Sequence, residues 1–324
     1  MKILKTKKLT EASMLSALFI ITSVIAIYTG LAYSIYLDIV VPIFVTLIYI
    51  RLGTKYTVLS SLSSLLIVVF SIGDIVSAIW MSQGILIGFI VGYFINKEGA
   101  LLDDFFYSSI LGCFVMILVD IYFSKLTGYS FIRDFKEYAT MFSIAEDLIK
   151  PFFYVFVAMI PMGTVFVVYF ISLLLGKRLN ILNNFSKEKY KVIKNYKKVG
   201  SYLCCSKNTF TFATIYLFII EFLNYKDFII GPIYIVTVVM SIRVVAIYFV
   251  LKDAFSFVTK WIYTKINSKT ISQMLWFLII YVLLVDFKTT TIILIFTSII
   301  LNFNLHIREK QIVILNKFLR VNGN

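Results

Sequence analysis

Residues 75–95 read IVSAIWMSQGILIGFIVGYFI, twenty-one positions without a charged side chain and with Gly84, Gly88 and Gly92 spaced four apart. A helix that crosses the hydrocarbon core of a bilayer needs about 20 mainly apolar residues, and this stretch supplies them. Glycines four apart share one helix face and let a neighbouring backbone come close. Lipid tails do not push helices together as water does, so close packing has to hold them. The tandem GxxxGxxxG therefore marks a tight crossing inside a helical bundle or a homodimer face.

The rest of the chain has the same character. Of its 324 residues 60% are hydrophobic, 17% aromatic and 15% charged, with mean hydropathy +0.93. A soluble domain is roughly 25% charged, and no water-soluble fold of this size hides so much apolar surface. Soluble enzymes are excluded on that ground. Four prolines, 14 glycines and no sustained heptads also exclude disordered, collagen-like and coiled-coil chains. The expected fold class is all-α, a polytopic transmembrane bundle. Ten apolar spans are read: 12–33, 35–50, 56–72, 75–95, 105–123, 151–175, 209–224, 229–251, 271–286 and 289–305. The second, seventh and ninth are short, about 16 residues each. The lysines at 2, 5, 7 and 8 resemble a signal-peptide start, but the apolar stretch after them is too long and no clear cleavage site follows. It is read as an uncleaved first helix.

Charge tests the count. With the N-terminus inside and the spans alternating, 24 Lys/Arg fall on the inner side and six on the outer: Lys125, Arg133, Lys136, Lys150, Lys226 and Lys288. That bias is the positive-inside rule and supports N-in, C-in and an even number of spans. Removing an adjacent pair keeps the bias, so eight spans remain open. The net charge of +14 is what this topology requires over an anionic inner leaflet and does not indicate nucleic acid. Expected localisation is the bacterial cytoplasmic membrane.

The chain also divides by composition. Residues 1–176 hold 11 of the 14 glycines; a basic loop, 177–208, holds nine Lys/Arg and one acid, Glu188; residues 209–324 form a C-terminal four-helix region with a cytoplasmic tail. Within the loop, Tyr190, Ile193 and Tyr196 alternate with lysines, as in an amphipathic helix on anionic lipid or in a plain solvated loop. Two further segments have one apolar face at helical spacing. They are 133–150 (Phe135, Tyr138, Phe142, Ala145, Ile149) and 254–266 (Phe255, Val258, Ile262, Ile266), the latter with Trp261 as an interface anchor.

Catalytic chemistry finds little to work with. His306 is the single histidine, which leaves no His-based triad or multi-His metal site. Cys113, Cys204 and Cys205 have neither CxxC spacing nor the numbers for a disulfide framework, and no P-loop is present. The chain is expected not to be an enzyme and to carry no cofactor or metal.

Binding chemistry has more. Ten of 17 acids fall outside. Asp38, Asp74 and Asp120 sit near the outer ends of spans one to five, close to Tyr33, Tyr36, Trp80 and Tyr122. Carboxylates converging with aromatics would hold a cationic solute by ion pairing and cation–π contact. Otherwise they lie in water at helix ends above the aromatic belt. Arg243 is about 14 residues into a 23-residue span, where a cation costs at least about 2.5–3.5 kcal/mol. It requires a buried acid or serves a ligand or anion site; Glu221, in the preceding span, lies at a different depth. At the inner end of the first span Ala12, Ser13, Ser16 and Ala17 give two overlapping small-x-x-x-small pairs, and Ser60, Ser61, Ser63 and Ser64 do the same in the third. These pack the inner helix ends together or present a smooth surface to another protein.

The lysine-rich start, then Leu9-Thr10-Glu11-Ala12-Ser13-Met14-Leu15-Ser16-Ala17-Leu18, then about six spans to residue 176, resembles the substrate-binding S-components of energy-coupling-factor (ECF) transporters. The whole chain is similar to the longer YybS-like membrane proteins of Firmicutes, whose N-terminal part is itself S-component-like. The resemblance implies a six-helix bundle that binds a small solute near the outer face. It also implies that Ala12, Ser13, Ser16 and Ala17 dock a transmembrane coupling subunit, to which two ATPases supply energy. Serine at two small positions and about four extra spans depart from that pattern. The expected function is the solute-binding part of a transporter. The alternatives are a membrane scaffold or regulator and, third, a lipid-handling protein using Arg243 and the basic residues on lipid phosphate.

Overall fold

A computed structural model describes residues 2–30, 35–135, 146–226, 231–266, 274, 277–279, 281, 282 and 285–321. Among them all regular structure is helical. The helices are α1 (Lys2–Thr29), α2 (Val41–Leu52), α3 (Thr54–Ile72), α4 (Ile75–Asn96), α5 (Leu101–Thr127), α6 (Glu146–Arg178), α7 (Asn184–Lys194), α8 (Lys207–Tyr225), α9 (Ile233–Ile266), α10 (Phe287–Leu305) and α11 (Ile307–Val321). A π turn, Tyr36–Val40, precedes α2, and short turns cover Tyr196–Tyr202.

Six of these helices are long and apolar enough to cross a membrane: Thr6–Thr29, Thr54–Ile72, Ile75–Asn96, Leu101–Thr127, Pro151–Arg178 and Ile233–Ile262. Two bent pairs bring the number to eight: Tyr196–Tyr202 with Lys207–Asn224, bent by 59°, and Phe287–Phe303 with Ile307–Leu315, bent by 73°. These helices turn large apolar side chains outward. Met14, Leu18, Ile21 and Ile25 of α1 and Leu62, Leu66 and Phe70 of α3 are exposed, Phe70 to 84%. Such a surface suits lipid and not water, as in a multi-pass membrane protein.

Several expected segments take another form. The expected second span, 35–50, is a π turn followed by the 12-residue α2. Pro42 is the reason: it has no N–H to give to the preceding turn, and the wider turn is closed by the Val41 N–H on the Tyr36 carbonyl. The expected interfacial segment 254–266 is the last part of α9 itself, since no breaker interrupts the helix after Leu251. The expected ninth span, 271–286, lies largely outside the described residues, as does 136–145 of the outer amphipathic segment.

The chain divides into two compact units. The first comprises Met1–Gly99, Asp104–Ile193 and Ile229–Val245; the second comprises Ala100–Asp103, Lys194–Phe228 and Ala246–Asn324.

In the first unit α4 lies against the π turn and α2. A Cβ on Gly84 would meet the Leu37 carbonyl oxygen at 2.7 Å, one on Gly88 the Pro42 carbonyl oxygen at 2.5 Å, and one on Gly92 the Tyr49 Cβ at 2.7 Å. The glycine face is thus covered by the chain's own α2, and the Thr46 hydroxyl donates to the Gly88 carbonyl at 2.9 Å across the contact. α1 packs on α3 through buried Ser16 and Ser60, whose hydroxyls are 2.5 Å apart. Phe19, Tyr36, Leu37, Val41, Val68 and Met81 form the core between these helices. The buried face of α7 carries Ser186, Lys189, Val192 and Ile193. Ser186 donates to the Ile95 carbonyl at 3.0 Å. Of the apolar residues expected on an amphipathic helix in the basic loop, Ile193 is buried against protein, Tyr190 is partly buried, and Tyr196 lies beyond the end of α7 and is exposed.

In the second unit Ala254 and Val258 of α9 pack with Leu294 and Leu301 of α10, and Trp261 and Ile262 extend the cluster.

Candidate functional site

Two of the carboxylates of the expected cationic cage are engaged in local hydrogen bonds, and Tyr33 lies outside the described residues. Asp74 is the N-cap of α4: one carboxylate oxygen accepts the Val76 N–H at 2.9 Å and the other the Ser77 hydroxyl. Asp120 is buried near the end of α5. It accepts the Ser130 hydroxyl at 2.7 Å and the Phe131 N–H at 2.8 Å, so it holds the turn that follows. Asp38 lies exposed on the π turn. No hydrogen bond joins one of these carboxylates to another among the described residues. Trp80 is half-buried, its ring 5.5 Å from that of Phe123. Arg243 is partly buried on α9.

Of the small residues on α1, Ala12 and Ser16 are buried against the chain's own helices, whereas Ser13 and Ala17 point out. The two overlapping pairs thus do different things. One is used for internal packing and the other is left on the surface.

What Asp120 does organise is the wall of a cavity. The turn it holds leads into residues 131–135, and the Ser130 hydroxyl also lies 3.2 Å from the Tyr234 hydroxyl. Arg133 sits over the Tyr234 ring at 5.7 Å. Next to this network Ile132, Phe135, Phe153, Tyr154, Val236 and Thr237 enclose about 270 Å³. Phe135 and Phe153 approach to 4.7 Å between ring centroids. No charged side chain is among the lining residues, and the few polar groups at its edge are hydroxyls. The size is at the low end for ligand pockets, which begin near about 300 Å³. Such a space takes a small, mostly apolar molecule and orients it by one or two hydrogen bonds.

A second constellation escapes a reading of the sequence. Lys189, on the buried face of α7, has its ammonium 2.7 Å from an Asp104 carboxylate oxygen, with both side chains about 5% exposed. The same ammonium donates to the carbonyls of Phe94 at 2.6 Å and Lys97 at 2.5 Å. The Tyr169 hydroxyl donates to Asp104 at 2.5 Å. All three lysine protons are matched, and two of them go to carbonyls at the end of α4, of which Phe94 also accepts the Lys97 N–H. Burial lowers the Lys189 pKa, and the charge of Asp104 opposes that shift. The signal was present in part: Lys189 shares a helix face with Ser186, Val192 and Ile193, so it is a cation on an apolar stripe. Its partner lies 85 positions back in sequence and carries no local mark.

The arrangement binds and clasps. Among the described residues no group of three or more metal-ligating side chains comes together. Comparison with protein-family models, with curated proteins and with solved structures finds no match to this chain.

Proposed function

We propose that the chain is a ten-span protein of the bacterial cytoplasmic membrane with both termini inside. In this reading its N-terminal helices form a solute-binding bundle similar to ECF S-components, and it serves transport rather than catalysis. The observation that carries the proposal is the cavity of about 270 Å³ bounded by Phe135, Phe153 and Val236. It lies beyond the end of α5 and beside the starts of α6 and α9, which the charge bias assigns to the outer side. Its lining favours an uncharged, mostly apolar solute over the cation that the outer acids suggested, because Asp74 and Asp120 serve as caps. The outward pair Ser13 and Ala17 offers a smooth strip on α1 for a coupling subunit that works with ATPases. The basic inner loops would face anionic lipid.

The test is native mass spectrometry of the full chain purified gently into nanodiscs, followed by thermal-shift screening of small metabolites. A bound solute is expected, and Val236→Trp, which fills the cavity, should abolish its retention while the protein stays folded. A protein that carries only lipid and responds to no small molecule would turn the assignment towards a membrane scaffold.

A further inference from the structure

The second unit holds a polar cluster that the solute-binding reading does not use. Arg308, in the first turn of α11, is 3% exposed. Its guanidinium lies 4.3 Å from the ring centroid of Phe210 and 5.3 Å from that of Phe257. Its polar contacts are long: the Ser206 carbonyl at 3.4 Å and an Asp253 carboxylate oxygen at 3.4 Å. Its Nε has no hydrogen-bond partner among the described residues. Gln311, one turn along the same helix face, is as deeply buried, and neither end of its amide has a partner among them. Asp253 is fully buried. One of its oxygens accepts the Cys205 N–H at 2.9 Å; the other accepts no hydrogen bond among the described residues and faces the Lys252 ammonium at 3.6 Å. Lys252 and Lys260 donate to the carbonyls of Leu203 and Ser201. Lys260 also lies over the Tyr202 ring at 4.4 Å.

Arg308 and Lys252 therefore face Asp253, with Lys260 two turns further along α9, and a second acid, Asp103, accepts the Ser206 N–H at 2.9 Å. The cations' remaining polar partners are neutral carbonyls. Arg308 and Asp253 are the buried pair, while Lys252 and Lys260 lie partly exposed beside them, so positive charge exceeds negative around the pair and favours an anion. Buried polar atoms without partners likewise point to a group that completes them. The Lys252 side chain is 28% exposed, so the edge of the cluster reaches the surface.

We infer that this cluster binds a phosphate group carried on a hydroxylated headgroup, of the glycerol phosphate type. Arg308 Nε and the Gln311 amide nitrogen require an acceptor, and phosphate offers several charged oxygens to a guanidinium and two lysines. The second Asp253 oxygen and the Gln311 amide oxygen require donors. A bare anion has none, whereas the hydroxyls of a glycerol headgroup supply them. That chemistry occurs both in a phosphatidylglycerol lipid and in free glycerol phosphate.

The test titrates the full-length protein in detergent with dioctanoyl phosphatidylglycerol, dioctanoyl phosphatidylcholine and sn-glycerol 3-phosphate, read by native mass spectrometry. Phosphatidylglycerol, glycerol phosphate or both should bind about ten-fold more tightly than phosphatidylcholine. Gln311→Leu and Lys260→Gln should each reverse most of that preference. Gln311→Leu removes only an unpartnered amide and leaves the Arg308–Asp253 contact in place, so its melting temperature should hold or rise. Competition by glycerol phosphate identifies a soluble headgroup as sufficient; binding of the lipid alone identifies the membrane as the source. Equal affinity for all three probes, or a preference that survives both substitutions, would overturn the inference.

Discussion

Lys189 and Asp104 stand or fall as a pair. Removing one partner of a buried ion pair leaves an uncompensated charge and costs about 3–5 kcal/mol. Lys189→Met should therefore lower the thermal midpoint strongly, because it strands Asp104 and removes the ammonium from the Phe94 and Lys97 carbonyls together. Lys189→Met combined with Asp104→Leu should recover much of the loss. A double variant that is no better than the sum of the singles would show that the two residues act independently. The adjacent thiols give a second residue-scale expectation. Burial pushes the Cys204 thiol up to about 11, helped by the charge of Asp253, and raises Cys205 further. Both stay protonated and enclosed from pH 7 to 9. A maleimide should label neither in the folded protein over that range and both after denaturation. Rapid labelling at pH 7 would contradict the placement of this turn.

The glycine face of α4 sets the expectation at the scale of the element. Any side chain at Gly88 runs into the Pro42 carbonyl, a backbone atom that cannot swing aside. Gly88→Val should cost about 1–3 kcal/mol or more by overpacking. Gly163, on α6, has nothing within 4 Å of a would-be Cβ. Gly163→Ala should leave stability unchanged or raise it by about 0.5–1 kcal/mol. Equal sensitivity at the two positions, measured by thermal unfolding in one detergent, would refute the tight α2–α4 crossing. This element also shows what can be read from sequence. Local signals transfer in part: apolar length finds six helices long enough to cross a membrane out of ten expected spans, and glycine spacing finds the face that closes on a neighbour. What depends on distant partners does not. The sequence offers no reason to pair Asp104 with Lys189, or Asp253 with Arg308. Asp74 and Asp120 look like ligand groups in one dimension because the groups they cap lie a turn away or in the next loop. Pro42 went unread within the expected second span, and only a structure shows that a π turn leads into the helix there.

For the whole molecule the charge bias makes the strongest statement. Green fluorescent protein fused after Asn324 should fluoresce, and alkaline phosphatase at the same point should stay inactive, if the proposed topology with both termini inside holds. Fusions after residue 128 should give the reverse. A fluorescent fusion at 128 together with an active phosphatase at the end would invert the topology. The same comparison separates an even from an odd number of spans, although not eight from ten.

α9 has one more property. It runs 34 residues, about 51 Å at 1.5 Å per residue, far beyond the hydrocarbon thickness of about 30 Å. Some twenty residues from Ile233 fill that thickness, which sets Arg243 near its middle. A fixed charge at that depth stands inside the transmembrane voltage, which does work of about 2.3 kcal/mol on each unit charge carried across 100 mV. Sliding of α9 along the membrane normal that separates Arg243 from its partner would carry a gating charge, and the energised state of the cell would then bias which position the helix holds.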